Sequence, residues 1–301
     1  MISLTFGPIP SRRFGMSLGV DLSASTKQCN FDCLYCELAP AKTVLKQEYS
    51  NTPEEIFSQV KQSLSKHPNI DVITFTANGE PTLYPYLNEL IDMIDNIKGD
   101  IKTLILSNGA NIYDKTIQNT LKKIDIVKLS LDCVSDKCFK KLDRAHNDVQ
   151  CSRIVNGMLE FRSIYKKELV LETLFVKNLN DNDMEIELLK DAYHKVKPNR
   201  IDIGTIDRPP AYDVLPLTYA NLEDIANKFI GLNITIAHKD RPKALQKYSK
   251  DEIISLLKMR PLTQVDIDNT FDYESKKIFN TMLTNKEISE NIIAGVKFFK
   301  I

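Results

Sequence analysis

The chain has 301 residues and 43% of them are apolar, enough for one large domain or for a main domain with a small appendage. Lys and Arg number 40 and Asp and Glu 40, so the formal net charge is +0 and the positive surplus of a nucleic-acid-wrapping protein is absent. No apolar run reaches the ~18 residues that suggest a membrane span, and Met1–Gly15 holds no apolar signal core, so a soluble, cytoplasmic protein is expected.

The first segment, Gly7-Pro8-Ile9-Pro10-Ser11-Arg12-Arg13-Phe14-Gly15, is rich in Pro and Gly and precedes the first predicted strand. Short runs of Val, Ile, Leu and Phe, the composition of buried parallel strands, predict strands over Leu18–Leu22, Asp71–Thr76, Ile101–Leu106, Ile126–Leu131, Leu169–Phe175 and Arg200–Gly204. Amphipathic stretches between them predict helices over Pro53–Leu64, Pro85–Ile97, Lys115–Lys122, Ser152–Tyr165, Met184–Val196 and Tyr219–Phe229. Pro53 after Thr52 is a helix start, because proline lacks only an N–H that the first turn leaves unpaired. Strand–helix units repeated in this way predict an α/β fold with a parallel sheet, as a barrel or an open sheet.

The rhythm changes near Gly231. A strand over Asn233–Ala237 and a polar linker, His238–Lys247, lead to a tail with helices over Lys250–Met259, Gln264–Thr270 and Tyr273–Leu283. Thr263 and Asp272 are N-cap residues for the second and third of these. Strands over Glu287–Ile293 and Val296–Ile301 close the chain, so the tail reads as a winged-helix-like module. The division expected is a core of residues 1–240 and a module of residues 241–301.

Six cysteines stand at 29, 33, 36, 133, 138 and 151. A disulfide framework is not expected in a cytosolic chain of this size, and cluster or metal ligation explains the first three better. Cys29-Asn-Phe-Asp-Cys33-Leu-Tyr-Cys36 has the spacing C-x3-C-x2-C, with no further Cys before Cys133. Three thiolates hold three irons of a cubane and leave the fourth iron open to a ligand. A zinc site with a distant fourth ligand is the competing reading, although zinc knuckles more often pair C-x2-C units.

The triplet after the first strand, with Tyr35 before the last Cys, resembles the radical S-adenosylmethionine (SAM) superfamily. Thr76-Ala77-Asn78-Gly79-Glu80-Pro81 resembles that superfamily's Gly-Gly-Glu-Pro motif at the end of its second strand, with Asn78 in place of the first Gly. The resemblance implies a partial (β/α)6 TIM-like barrel, a [4Fe–4S] cluster on Cys29, Cys33 and Cys36, and SAM as cofactor. It implies Tyr35 beside the adenine or cluster, and Asn78, Gly79 and Glu80 at the methionine amino group. It also implies SAM contacts from Ser107, Asn108 and Ser130, at the ends of the third and fourth strands. Reductive cleavage of SAM would then give a 5′-deoxyadenosyl radical that abstracts hydrogen from a substrate. The electron would come from an external reductant such as flavodoxin or ferredoxin.

Gly7–Gly15 and Gly204-Thr205-Ile206-Asp207-Arg208-Pro209-Pro210 further resemble Fe–S oxidoreductases related to the wyosine base-forming tRNA enzymes, which use carbon units from pyruvate. That likeness suggests RNA modification. Wyosine-forming enzymes carry a second cluster on cysteines N-terminal to the triplet, and this chain has none before Cys29. Cys133, Cys138 and Cys151 are then either a second ligand set or small core residues.

Four residues are candidates for contact with substrate. Arg12 and Arg13 would reach a phosphate or carboxylate over the barrel mouth, or lie in a solvated loop. Asp132 would orient substrate or take a proton, or cap a turn, and Arg208 would contact substrate beside the stiff Pro209-Pro210 pair. Asp143–Asn147 offers further side chains, among them His146. The tail, Ser249–Ile301, has eight basic and eight acidic residues, which favours protein contact or a lid as much as RNA. Modification of a protein or small metabolite, and a non-enzymatic Fe–S sensor with a nucleic-acid-binding tail, are the other function classes.

Overall fold

The apolar runs of the core become neighbours in a single eight-stranded sheet whose strands follow chain order. The computed structural model describes residues 3–11, 13–23, 26–48, 50–236, 244–259, 261–293 and 296–301. The strands are β1 (Thr5–Ser11), β2 (Gly15–Asp21), β3 (Val72–Thr76), β4 (Lys102–Ser107), β5 (Ile126–Ser130), β6 (Glu168–Phe175), β7 (Arg200–Thr205) and β8 (Ile234–Ile236). From β2 to β8 every pairing is parallel, whereas β1 runs antiparallel to β2. Among the described residues the edges β1 and β8 do not pair, so the sheet is a partial TIM-like barrel.

The expected six-stranded barrel is thus extended by a strand at each edge. Pro8 and Pro10 hid β1, because proline cannot donate to a ladder. An edge strand has one side without a partner and tolerates it. The register also slips between Phe6 and Ile9.

The helices are α1 (Pro53–Lys66), α2 (Leu87–Asp95), α3 (Lys115–Leu121), α4 (Asp136–Leu142), α5 (Cys151–Ile164), α6 (Asp183–Val196) and α7 (Tyr219–Lys228). Thr52 and Glu55 form a capping box that starts α1, with Pro53 in its first turn. The seven-residue α4 was not predicted, since so few residues show no helical period. Its N-cap Ser135 accepts from Cys138 N, and Cys138, Phe139 and Leu142 turn inward.

Alternation along the strands separates two faces. Val127, Leu129, Leu169, Leu171, Ile201 and Ile203 point toward the helices and join the main core. Val72, Leu104, Ile126 and Val170 form a separate apolar floor on the inner face, with Phe14 against it.

The tail is α8 (Lys250–Met259), β9 (Leu262–Thr263), α9 (Gln264–Thr270), α10 (Tyr273–Thr284), β10 (Ser289–Ile293) and β11 (Val296–Lys300). Its sheet order is β10-β11-β9, a winged-helix-like arrangement. Thr263 and Asp272 cap α9 and α10 as expected. Phe271, Phe279 and Phe299 centre a second core, and Phe6 and Ile9 of β1 pack against it. The Tyr248 hydroxyl donates to Pro8 O at 2.5 Å. The module therefore covers an edge strand that would otherwise offer free ladder groups. Among the described residues, no helix is long and apolar enough to cross a membrane.

Candidate active site

The cysteine triplet lies on the loop after β2 and is held from three directions. Toward β3, Gln28 bridges Gly79, and Glu80 N donates to Gln28 O at 3.0 Å. Toward α4, Leu34 N donates to Leu142 O at 2.9 Å and Asp32 N to Asp143 O at 3.2 Å. Toward the β7–α7 loop, Ala211 N donates to Cys36 O at 2.8 Å. Gly79 is required at the first contact. Its φ is +145°, and a Cβ there would lie 1.9 Å from Gln28 O.

Cys29, Cys33 and Cys36 are free thiols, Cys33 buried and the others half-buried. Burial pushes the Cys29 thiol up to about 12, with the Glu80 carboxylate adding to the effect. Burial also raises Cys33, whose Sγ lies 3.9 Å from Asp143 Oδ1. Among the described residues, the ligand atoms that gather within 4.8 Å of one another are those of Cys133, Cys138 and Glu185. The triplet is spread more widely. A single zinc ion needs its ligands around one point, whereas a cubane takes each thiolate on a separate iron.

Around the triplet the strand ends supply polar groups. Glu80 is buried and accepts from Thr82 N (3.0 Å), Thr82 Oγ1 (2.7 Å), Ser107 Oγ (2.7 Å) and Asn108 N (2.8 Å). Burial raises its pKa and these bonds oppose the rise. Asn108 Nδ2 donates to Asn30 Oδ1 at 2.8 Å and reaches Cys29 Sγ at 3.5 Å. Asn78 N donates to Ser23 Oγ. Ser130 lines a cavity of about 10 Å³ with Tyr35, Asn108, Asp132 and Asp143.

The structure brings Tyr35, Asn78, Gly79, Glu80, Ser107, Asn108 and Ser130 together with the triplet at the C-terminal ends of the strands. The four substrate candidates are placed differently. Asp132 is engaged, accepting from Tyr35 OH at 2.5 Å and from Leu174 N at 2.7 Å. Arg208 Nη1 donates to both oxygens of Glu37 at 2.9 Å, which fastens the β7–α7 loop to the cysteine loop. Arg13 enters from the β1–β2 turn, at the end of the barrel opposite the triplet. It pairs with Asp202 at 3.2 Å and Glu172 at 3.6 Å. Arg12 lies outside the described residues. His146 N donates to Asn30 O of the cysteine loop at 2.8 Å, while its ring turns to Asp148 at 3.7 Å.

Several residues went unnoticed in the sequence. Lys128 of β5 lies 2.6 Å from Glu172 of β6 and 3.2 Å from Asp202 of β7, above the apolar floor. Arg200 closes the group by donating to Asp202 at 2.9 Å. The available signal was charged residues at alternating positions in three apolar strands: Lys128 in β5, Glu168 and Glu172 in β6, Arg200 and Asp202 in β7. Asp32 binds Lys27 at 3.2 Å and Tyr212, while Arg144 stacks over the Tyr212 ring at 4.6 Å. No periodicity links those segments.

Cys133 and Cys138 form a disulfide, contrary to the expectation from compartment. The turn from β5 into α4 brings their Cα atoms to 5.5 Å, within bridging distance. Cys151 is a buried free thiol.

The model of the radical SAM superfamily matches residues 24–189. The chain belongs to that superfamily, a class of enzymes that generally use a [4Fe–4S] cluster and SAM. It is 38% identical over 301 residues to a UPF0026 protein of Helicobacter pylori (strain J99), covering 99% of this chain and 97% of the relative. The fold is similar to that of SuiB from Streptococcus suis bound to S-adenosylmethionine, at TM-score 0.57 and 17% identity over 77% of this chain and 51% of SuiB. It is also similar to TYW1 with a lysine–pyruvate adduct bound, at TM-score 0.52 and 19% identity over 71% of this chain and 72% of TYW1.

Proposed function

We propose that Cys29, Cys33 and Cys36 hold a [4Fe–4S] cluster with one open iron, and that SAM binds on that iron. The observation that carries this reading is the fastening of a free three-cysteine loop to the Gly79–Glu80 segment at the strand ends. Bound there, the cluster and SAM supply the chemistry of a 5′-deoxyadenosyl radical, which takes hydrogen from a substrate in the barrel mouth.

The chain's own residues position and enclose. Gly79 lets the cysteine loop close on the end of β3 at Gln28, and Asn78 and Glu80 beside it face the SAM methionine group, with Glu80 also holding the ends of β3 and β4 together. Asn108, Ser107 and Ser130 offer side-chain groups to the rest of SAM, and Tyr35 packs beside it. Arg208 and Tyr212 draw the β7–α7 loop over the site and exclude water. Glu172 is 40% exposed on the inner face, where Lys128 and Arg13 pair with it. Residues 1–240 form the catalytic core and residues 241–301 an accessory module on β1.

The reading for the substrate is RNA modification, supported by the winged-helix-like tail and by the resemblance of Gly7–Gly15 and Gly204–Pro210 to the wyosine base-forming group. A second reading, modification of a protein or small metabolite, is favoured by the balance of 40 basic and 40 acidic residues. Mass spectrometry of tRNA nucleosides, proteins and metabolites from a deletion strain separates the two. Cofactor binding is tested by electron paramagnetic resonance of the reconstituted, reduced protein. A cluster signal that shifts on addition of SAM and is missing in Cys33→Ala is expected, and a signal indifferent to SAM would point to the sensor instead. An external one-electron reductant of the flavodoxin or ferredoxin kind completes the system.

A further inference from the structure

The cysteines outside the triplet are gathered at one place. Cys133 directly follows Asp132 in the segment after β5, and Cys138 sits in the first turn of α4, bonded to it. Cys151 heads α5 with its Sγ 3.2 Å from Cys133 O. Glu185 of α6 comes within 4.8 Å of both bonded sulfurs, which would suit a metal ion. Its carboxylate is already engaged, accepting from Ser135 N at 3.0 Å, Ser135 Oγ at 2.6 Å and Val134 N. Sulfur–sulfur chemistry therefore fits the group better than metal ligation.

The position of the pair gives that chemistry a consequence. The end of α4 is the wall on which the triplet leans, through Leu142 O, Asp143 O and an edge contact of Phe139 with Phe31 at 5.4 Å. A seven-residue helix has little stability of its own. Whatever fixes its first turn also fixes the wall, and the disulfide ties that turn to the segment that follows β5, one residue beyond the carboxylate that holds Tyr35.

We propose that Cys133 and Cys138 are a reversible thiol–disulfide site whose oxidised form keeps the Cys29–Cys36 loop folded when it carries no iron. The oxidant is a small disulfide of the glutathione type and the reductant a dithiol. Both cysteines are buried, so exchange takes place as the short α4 opens: a thiolate of the pair then attacks the oxidant's S–S bond and releases one thiol. The second cysteine then attacks the mixed disulfide and releases another. Two electrons and two protons pass from the pair to two product thiols. The inference rests on the proposed function only in assigning iron to the loop, and the readouts below do not depend on radical chemistry.

The test uses the full chain as C29S/C33S/C36S, which leaves Cys133, Cys138 and Cys151. With oxidised glutathione, alkylatable thiols should fall from three to one and return to three with dithiothreitol, peptide mapping placing the link at Cys133–Cys138. Amide exchange over residues 29–36 and 136–146 should be about tenfold slower in the oxidised form. Three thiols that stay alkylatable, a bound zinc ion in place of the disulfide, or a disulfide that leaves exchange unchanged would each overturn the proposal. If the triple variant is unfolded by circular dichroism, iron-free wild type is compared with C133A/C138A. Faster exchange in that variant is expected, and equal exchange refutes the idea.

Discussion

The Tyr35 hydroxyl donates to Asp132 Oδ2 at 2.5 Å, so the residue before the last cysteine of the triplet is anchored on the end of β5. Burial raises the Asp132 pKa from 3.8 to about 7, against the opposing bonds from Tyr35 and Leu174. The folded state therefore binds this proton more tightly than the unfolded chain does. Asp132 contributes stability that is full below its unfolded pKa and is lost as pH rises through about 7. Urea midpoints of wild type should fall between about pH 5 and pH 8 more than those of Asp132→Asn. Equal slopes for the two proteins would show that Asp132 does not carry the effect.

Gly79→Ala should be among the costliest single changes in the core. A Cβ would meet Gln28 O at 1.9 Å, backbone against backbone, at φ +145°. Relief requires the cysteine loop to move away from β3. A loss of about 2–4 kcal/mol in unfolding free energy is expected. Iron bound after reconstitution should fall with it. Wild-type stability and iron content in Gly79→Ala would mean that the contact is dispensable.

Lys128→Met removes a cation from a buried group. Asp202 is fully buried and Lys128 is 3.2 Å away, with Arg13 and Arg200 as its other partners. Loss of one partner leaves charge uncompensated, and about 3 kcal/mol of destabilisation is expected by chemical denaturation. Lys128→Met/Glu172→Gln should recover part of that loss. No recovery in the double variant would show that the two side chains are not coupled.

Glu80→Gln replaces an acceptor of four hydrogen bonds with an amide that must turn an NH2 group toward a donor. Ser107 and Asn108 should lose their placement, at about 1–3 kcal/mol. SAM affinity, by equilibrium dialysis on cluster-loaded protein, should fall about tenfold, which corresponds to about 1.4 kcal/mol. Unchanged affinity would remove Glu80 from the SAM site.

Most of the sheet was legible because buried parallel strands are continuous apolar runs. Ile126–Ser130 and Arg200–Thr205 begin where the sequence placed them. The triplet was legible because its ligand spacing is short and local. What stayed hidden is either short, irregular or made by distant segments. β1 was masked by Pro8 and Pro10, and α4 by its seven residues. Arg13 belonged to a loop by composition, yet the hairpin of β1 and β2 turns it into the barrel, 3.2 Å from Asp202. Arg208 was legible as a charged residue at a strand end, but its partner Glu37 is 171 positions away. The Cys133–Cys138 bond follows from a turn geometry that a C-x4-C spacing does not announce.

The central claim is that this chain cleaves SAM reductively on a cluster held by the triplet. Anaerobic reconstitution with iron and sulfide, followed by dithionite and SAM, allows 5′-deoxyadenosine to be counted by mass spectrometry. The account predicts 5′-deoxyadenosine from wild type and none from Cys33→Ala. An intact cluster in wild type that yields none, even with cell extract supplied as a source of substrate, would contradict it.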